Sequence, residues 1–159
     1  MGISPYLRRL RERVGHDLVL MPAVAVLIWD EEGRVVLVRA ADSGLWQTVG
    51  GSVEPDEDPL VAAVREAREE AGVDVAIDGV RAVLGGPEYR LTYPNGDIVS
   101  YVSTVFDAHV VGGVPAPDGD ETLDASWFAL GELEASALTP FTVALLRDAL
   151  GAGLFPAAG

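Results

Sequence analysis

Two residue types are missing from this sequence altogether. Without cysteine the chain has no disulfide, no thiol nucleophile and no cysteine-based zinc site. Without lysine, all 11 basic residues are arginine, set against 25 aspartates and glutamates for a formal net charge of −14. That imbalance argues against a nucleic-acid surface or an anionic membrane as partner, so an anionic substrate has to be met by local arginines and bound cations. No apolar run reaches the length of a membrane span and the N-terminus lacks the apolar core of a signal peptide, so a cytoplasmic location is the expectation. Internal repeats and low-complexity segments are absent as well. What is present is 159 residues with 49% apolar content, enough for one domain over 1–159 around a single core.

Ser4 to Gly15 reads as a short capped helix within an N-terminal extension over 1–20. It carries Arg8, Arg9, Arg11 and Arg13, the chain's one basic cluster, and is either a solvated edge helix or a contact for a dimer mate or the far end of a substrate. His16 falls in the linker that follows. The apolar run from Met21 to Trp29, the turn Asp30-Glu31-Glu32-Gly33 and the β-branched run from Arg34 to Arg39 form a strand, a turn and a returning strand. Arg39, at the end of that second strand, is a candidate phosphate contact. Leu45 to Val49 then leads into Gly50-Gly51, where the lack of side chains lets the backbone turn tightly and bring a carbonyl near a bound ion.

Further on, Val73 to Leu84 reads as a strand interrupted at Asp78-Gly79. Tyr89 to Tyr93 and Ile98 to Val111 form two more, joined by Pro94-Asn95-Gly96-Asp97, whose Asn-Gly is a strong hairpin signal. Tyr89, Arg90 and Tyr93 are candidates to stack a base or hold a phosphate, and His109 is a packed or edge residue of the later strand. Gly112 to Glu121 is too rich in proline and glycine for regular structure and is a loop before a strand over 125–129. Thr139-Pro140 starts a final helix to about Leu150, and the tail over 151–159 is expected to be loose.

The most informative stretch lies between these parts. Asp58 can cap a helix, Pro59 is pre-set for its first turn and Gly72 terminates it, so 59–71 is one helix. At about 100° per residue, Leu60, Val64, Ala67 and Ala71 share a narrow apolar stripe, with Glu66, Glu69 and Glu70 on the other side. Carboxylates at these spacings repel by roughly 0.2 to 0.5 kcal/mol per pair, and no lysine relieves them. The cluster is either a solvated acidic face or a set of oxygens for a hard divalent cation such as Mg²⁺ or Mn²⁺.

The order Gly51, five residues, Glu57, seven residues, Arg65-Glu66, a small apolar residue, any residue, Glu69-Glu70, any residue, Gly72, Val73 resembles the signature of the Nudix hydrolases at every defined position. Val49 stands where that family commonly has proline. The resemblance implies an α/β fold, a Nudix-type α/β/α sandwich with a mixed, curved sheet. It implies a loop-helix-loop that binds Mg²⁺ or Mn²⁺ through Glu66, Glu69, Glu70 and the Gly50 carbonyl. The activity implied is hydrolysis of a diphosphate bond in a nucleoside diphosphate linked to another group, a small-molecule partner, with ADP-ribose and nucleotide-sugar types favoured. Arg65 is expected to hold Glu57 or Glu66 through a fork of hydrogen bonds. Glu70 or Glu69 is the expected base, with Glu121, ahead of the strand containing Trp127, as a further candidate base or metal ligand. Damaged-nucleotide triphosphate pyrophosphohydrolases, CDP-alcohol hydrolases and non-catalytic sensors share the fold; a prenyl diphosphate isomerase of this kind relies on a cysteine that is absent here.

Overall fold

The computed structural model of the chain describes residues 3–155. Its helices are α1 (Pro5–Val14), α2 (Pro59–Ala71) and α3 (Pro140–Leu150), and its strands are β1 (Val19–Trp29), β2 (Val35–Ala40), β3 (Trp46–Ser52), β4 (Asp74–Leu84), β5 (Arg90–Thr92), β6 (Ile98–Gly112) and β7 (Thr122–Phe128). All three helices start in the same way. Ser4, Asp58 and Thr139 each accept a hydrogen bond from a backbone N–H of the first turn, and a proline follows directly, so both the orphan donors and the first φ angle are settled locally. Gly72 ends α2 in the left-handed region at φ 68°, as its place in the sequence predicts.

The strands make one mixed sheet in the order β4-β6-β1-β3-β2-β7, with β5 also paired to β6. Only the central pair β1 and β6 runs parallel, in register from Val19 opposite Val99 to Trp29 opposite His109. β4 slips register between Ile77 and Gly79, where the sequence shows the Asp78-Gly79 interruption. Alternation along β1 sends Val24, Val26 and Ile28 to the α2 side and Ala25 and Leu27 to the α3 side, which divides the core into two clusters and the fold into three layers.

Some boundaries differ from the sequence-based expectation. The sheet already begins at Val19, within the span assigned to an N-terminal extension, and the segment from Pro87 opens with a 3-10 turn through Tyr89 before the short β5. The chain beyond α3 is not loose from 151: Leu154 and Phe155 pack on the α3-side cluster, while 156–159 lie outside the described residues.

The buried face of α2 is the larger correction. Leu60 is 48% exposed, and the residues packed inward are Ala62, Ala63, Ala67 and Ala71 together with Glu66 and Glu70. Periodicity places the two acids opposite the packed stripe. The structure places them within the packed face, because the alanines leave the helix close to β3 and the acids lie against its glycines.

Candidate active site

β3 pairs with β2 only over Trp46 to Thr48, so its last residues have β1 on one side and an open edge on the other. The N–H of Gly50 leaves that open edge and donates to Glu70 Oε2 at 3.0 Å. N–H and C=O of one strand residue point the same way, so the Gly50 carbonyl opens to the same side. Gly51 serves a steric purpose: a Cβ there would lie 2.3 Å from Glu66 Oε1, so any side chain would push that carboxylate from its place.

Arg65 gathers the acids. Its Nε and Nη2 donate to the two Glu57 oxygens at 2.7 and 3.0 Å, Nη1 donates to Glu66 at 2.8 Å and to Glu69 at 3.2 Å, and Nη2 also reaches the Ser52 carbonyl at 3.2 Å. Such a two-pronged guanidinium contact fixes orientation as well as charge. Glu57 accepts from the Glu54 N–H at 2.9 Å, closing a loop in which Asp56 takes a left-handed φ of 64°. The fork expected from the sequence is therefore present.

Burial and charge set the proton affinities. The Arg65 hydrogen bond holds the Glu57 carboxyl below its ordinary range. Burial pushes Glu66 up even though Arg65 opposes it. Glu70, 9% exposed, is pushed up to about 8, first by burial and then by the charges of Glu66, Asp118 and Glu69, against the Gly50 N–H. Glu69 keeps 38% of its side chain exposed at the outer end of the Arg65 fork.

The loop between β6 and β7 is fastened to the end of α2. Ala116 N–H donates to the Ala71 carbonyl at 2.9 Å, and the buried Thr122 hydroxyl donates to the Glu70 carbonyl at 3.1 Å. Asp118 accepts from the N–H groups of Asp120 and Thr122 at 2.8 and 2.9 Å, which keeps it ionised, and its charge acts on Glu70. Sequence reasoning selected Glu121 here and missed Asp118; the Asp118-Gly119-Asp120 turn signal ahead of Thr122 is the clue that could have found it. Glu121 joins the site region through its backbone, its carbonyl accepting from Ala41 N–H at 2.9 Å.

The other candidates do not gather at these carboxylates. Arg39 follows Leu37 on the α3 side of the sheet, opposite Trp46 and Asp124, and its Nε is buried without a hydrogen-bond partner among the described residues. Arg90 is exposed on β5, separated from β3 by β6 and β1. Tyr89 is not available to stack a base: it is 2% exposed, donates to Asp148 Oδ2 at 2.7 Å and meets the Phe141 ring edge-on at 5.4 Å. An open groove of about 800 Å³ runs along the outer flank of α2, lined by Leu60, Val64, Arg65, Arg68, Glu69 and Ile77.

Among the described residues no three acidic side chains converge tightly enough to hold a metal ion as the chain stands, and Arg65 supplies the positive charge between Glu57, Glu66 and Glu69. The donor chemistry nevertheless fits a hard divalent cation. Glu66 and Glu70 are buried oxygen donors whose ionised forms are disfavoured, beside a carbonyl on an unpaired edge, and a cation there would reverse that cost.

Comparison with known proteins agrees with this geometry. The family model of the NUDIX domain matches residues 19–149. The chain is 31% identical to a MutT-like protein of Streptomyces ambofaciens over 131 residues, covering 82% of this chain and 78% of that protein. It is 31% identical to a putative 8-oxo-dGTP diphosphatase of Bacillus subtilis over 108 residues, covering 68% and 66%. The crystal structure of a MutT NUDIX hydrolase from Burkholderia pseudomallei superposes with a TM-score of 0.67 at 27% identity, covering 83% of this chain and 98% of that one. With the glycine edge, the arginine fork and the buried glutamates all in place, this chain belongs to the Nudix family of pyrophosphohydrolases.

Proposed function

We propose that the chain hydrolyses the diphosphate bond of a nucleoside diphosphate derivative, with ADP-ribose and nucleotide sugars as first candidates. The observation that carries this is the pair of buried carboxylates, Glu66 and Glu70, held against the open glycine edge of β3. Glu66, Glu69, Glu70 and the Gly50 carbonyl would hold Mg²⁺ or Mn²⁺. A divalent ion held there would supply positive charge to the anionic diphosphate and polarise the attacked phosphorus.

The chain's own residues do the rest. A water oxygen forms a bond to one phosphorus while the bridging P–O bond breaks, and the bridging oxygen leaves with the electron pair on the other phosphate. The water's proton passes to a carboxylate of α2, Glu70 ahead of Glu69, both on the helix beside the glycine edge. Arg65 keeps Glu57 and Glu66 in place.

Incubation with Mg²⁺ and a panel of ADP-ribose, nucleotide sugars and nucleoside triphosphates in ¹⁸O-labelled water tests this. A nucleoside monophosphate and a phosphorylated remainder should appear, with label in one product phosphate. Tight binding without cleavage across the panel would instead make the chain a sensor. A second function is favoured by the Bacillus relative, named a putative 8-oxo-dGTP diphosphatase: release of pyrophosphate from a nucleoside triphosphate, which the same panel separates by product.

A further inference from the structure

One group of polar side chains next to the glycine edge has no part in the chemistry above. Ser52 follows Gly51, and alternation along β3 turns its side chain to the α3 side of the sheet, away from Glu66. There its hydroxyl is a neighbour of the Tyr101 hydroxyl, and the Tyr101 hydroxyl meets that of Tyr93 at 2.6 Å. The Tyr101 ring rests edge-on against Phe141 at 5.9 Å, while Tyr93 is 39% exposed. Three hydroxyls thus run from the residue beside the candidate reaction centre to the solvent. Each hydroxyl has one hydrogen and two lone pairs, so with one bond made between Tyr93 and Tyr101 the group of three keeps free hydrogens and several free lone pairs. Such a row can both donate and accept, which suits sugar hydroxyls. Carboxylates only accept and arginines only donate.

The outer end of the row is held by a part-buried ionic clamp. Tyr93 sits at the base of the β5–β6 hairpin, its N–H donating to the Asp97 carbonyl and its own carbonyl accepting from Gly96, both at 2.9 Å. Asp97 in turn bonds His16 at 2.7 Å and lies 3.5 Å from Arg11, whose side chain is only 9% exposed and also donates to the Ile98 carbonyl at 2.9 Å. Burying an arginine side chain costs free energy that its contacts with Asp97 and the Ile98 carbonyl offset, and these contacts tie α1 to the hairpin. α1, the basic helix at the N-terminus, thereby braces Tyr93.

We propose that Ser52, Tyr101 and Tyr93 form the subsite for a sugar joined to the far side of the diphosphate, with Arg11 as a positioning residue. This rests on the chain being a diphosphate hydrolase and narrows its substrates to sugar-bearing diphosphates. The test is steady-state hydrolysis of ADP-ribose and of a plain alkyl ester of ADP by wild type, Tyr93→Phe and Ser52→Ala, with thermal melts in ADP-ribose alongside. Each variant should raise KM for ADP-ribose by about fivefold or more, the effect of one lost hydrogen bond, with most of the loss in KM and not kcat. KM for the alkyl ester should move by less than about twofold. Equal changes for both esters, or none for either, would overturn the subsite and leave the hydrolase standing. If nothing is hydrolysed, the melts decide: stabilisation of wild type by ADP-ribose that weakens in Tyr93→Phe keeps the subsite while the hydrolase fails, and no stabilisation of wild type removes both.

Discussion

The two faces of the sheet are packed by opposite rules. On the α3 side, large side chains fill the space: Leu27, Leu37, Tyr89, Leu145 and Leu146 are fully buried, and Trp46 meets Phe128 edge-on at 4.8 Å. On the α2 side the helix presents four alanines and two glutamates to the strands. Side-chain size at the contact sets how near a helix comes to its neighbour, so alanine brings α2 close enough for its carboxylates to reach Gly50 and Gly51. The strands on the α2 side still bury Val26, Ile28, Val36, Val38 and Phe106, so it is the helix alone that gives up large apolar side chains, and two carboxylates thereby lie beside a backbone edge.

Glu70→Gln and Glu66→Gln should break the contrast most strongly. Each should lower kcat by roughly 10²-fold or more, within the range that removal of a positioned acid or base produces. Melting of the metal-free protein should stay at or above wild type, because the amide cannot ionise where burial disfavours the charged form. Retention of most activity by both variants, measured with Mg²⁺ present, would sink the assignment.

A pair of core substitutions should show an intermediate effect and sharpen the comparison. Leu146→Ala opens a cavity on the α3 side and should cost about 2–5 kcal/mol of stability, with little change in kcat for the folded fraction. Ala67→Leu overfills the α2 side and should cost about 1–3 kcal/mol, but it should lift the helix from β3 and reduce kcat sharply. Equal effects on kcat after correction for folded fraction would mean that the two faces do not divide the work.

The last effect is read in stability against pH and not in kcat. The Glu70 carboxyl binds its proton more tightly when folded, at about 8 against an ordinary 4.5, so above 4.5 the unfolded chain gives up a proton that the folded chain keeps. Metal-free stability should therefore fall as pH rises through the window from about 4.5 to 8. Mg²⁺ should flatten that fall and add about 2.7 kcal/mol at a hundred times its dissociation constant. Thermal melts from pH 5 to 8 with and without Mg²⁺ would show it, and identical slopes would place the cation elsewhere.

The parts of this molecule governed by neighbours along the chain are legible in the sequence itself. Asp58, Pro59 and Gly72 delimit α2 because capping, φ restriction and left-handed termination are local effects. The Asn95-Gly96 hairpin is local in the same way, and the Arg65 fork onto Glu57 or Glu66 is what the resemblance to the Nudix signature implies. The inward side of α2 is not legible, because periodicity counts glutamate as a surface residue and cannot register that a missing Cβ on Gly51 makes a place for a carboxylate. Tyr89 is hidden by Phe141 and Asp148, more than fifty residues later, which no window around it reveals. Asp118 comes to act on Glu70 because it closes the turn onto Thr122, a contact made within the folded loop.

The parallel pairing of β1 with β6 bears on how the chain acquires its site. Every β1 residue from Val19 to Trp29 waits for a partner between Val99 and His109, so the centre of the sheet cannot close until most of the polypeptide has left the ribosome. Pairings that distant in sequence slow folding, since loop closure precedes any reward from contact. β3 leans on β1 through Ala23 to Val26, so its glycine edge takes final shape only after that closure. In pulse-labelling hydrogen exchange, protection of the Gly50 amide should lag behind that of α2 and the Asn95-Gly96 hairpin, so the polypeptide assembles its reactive corner last.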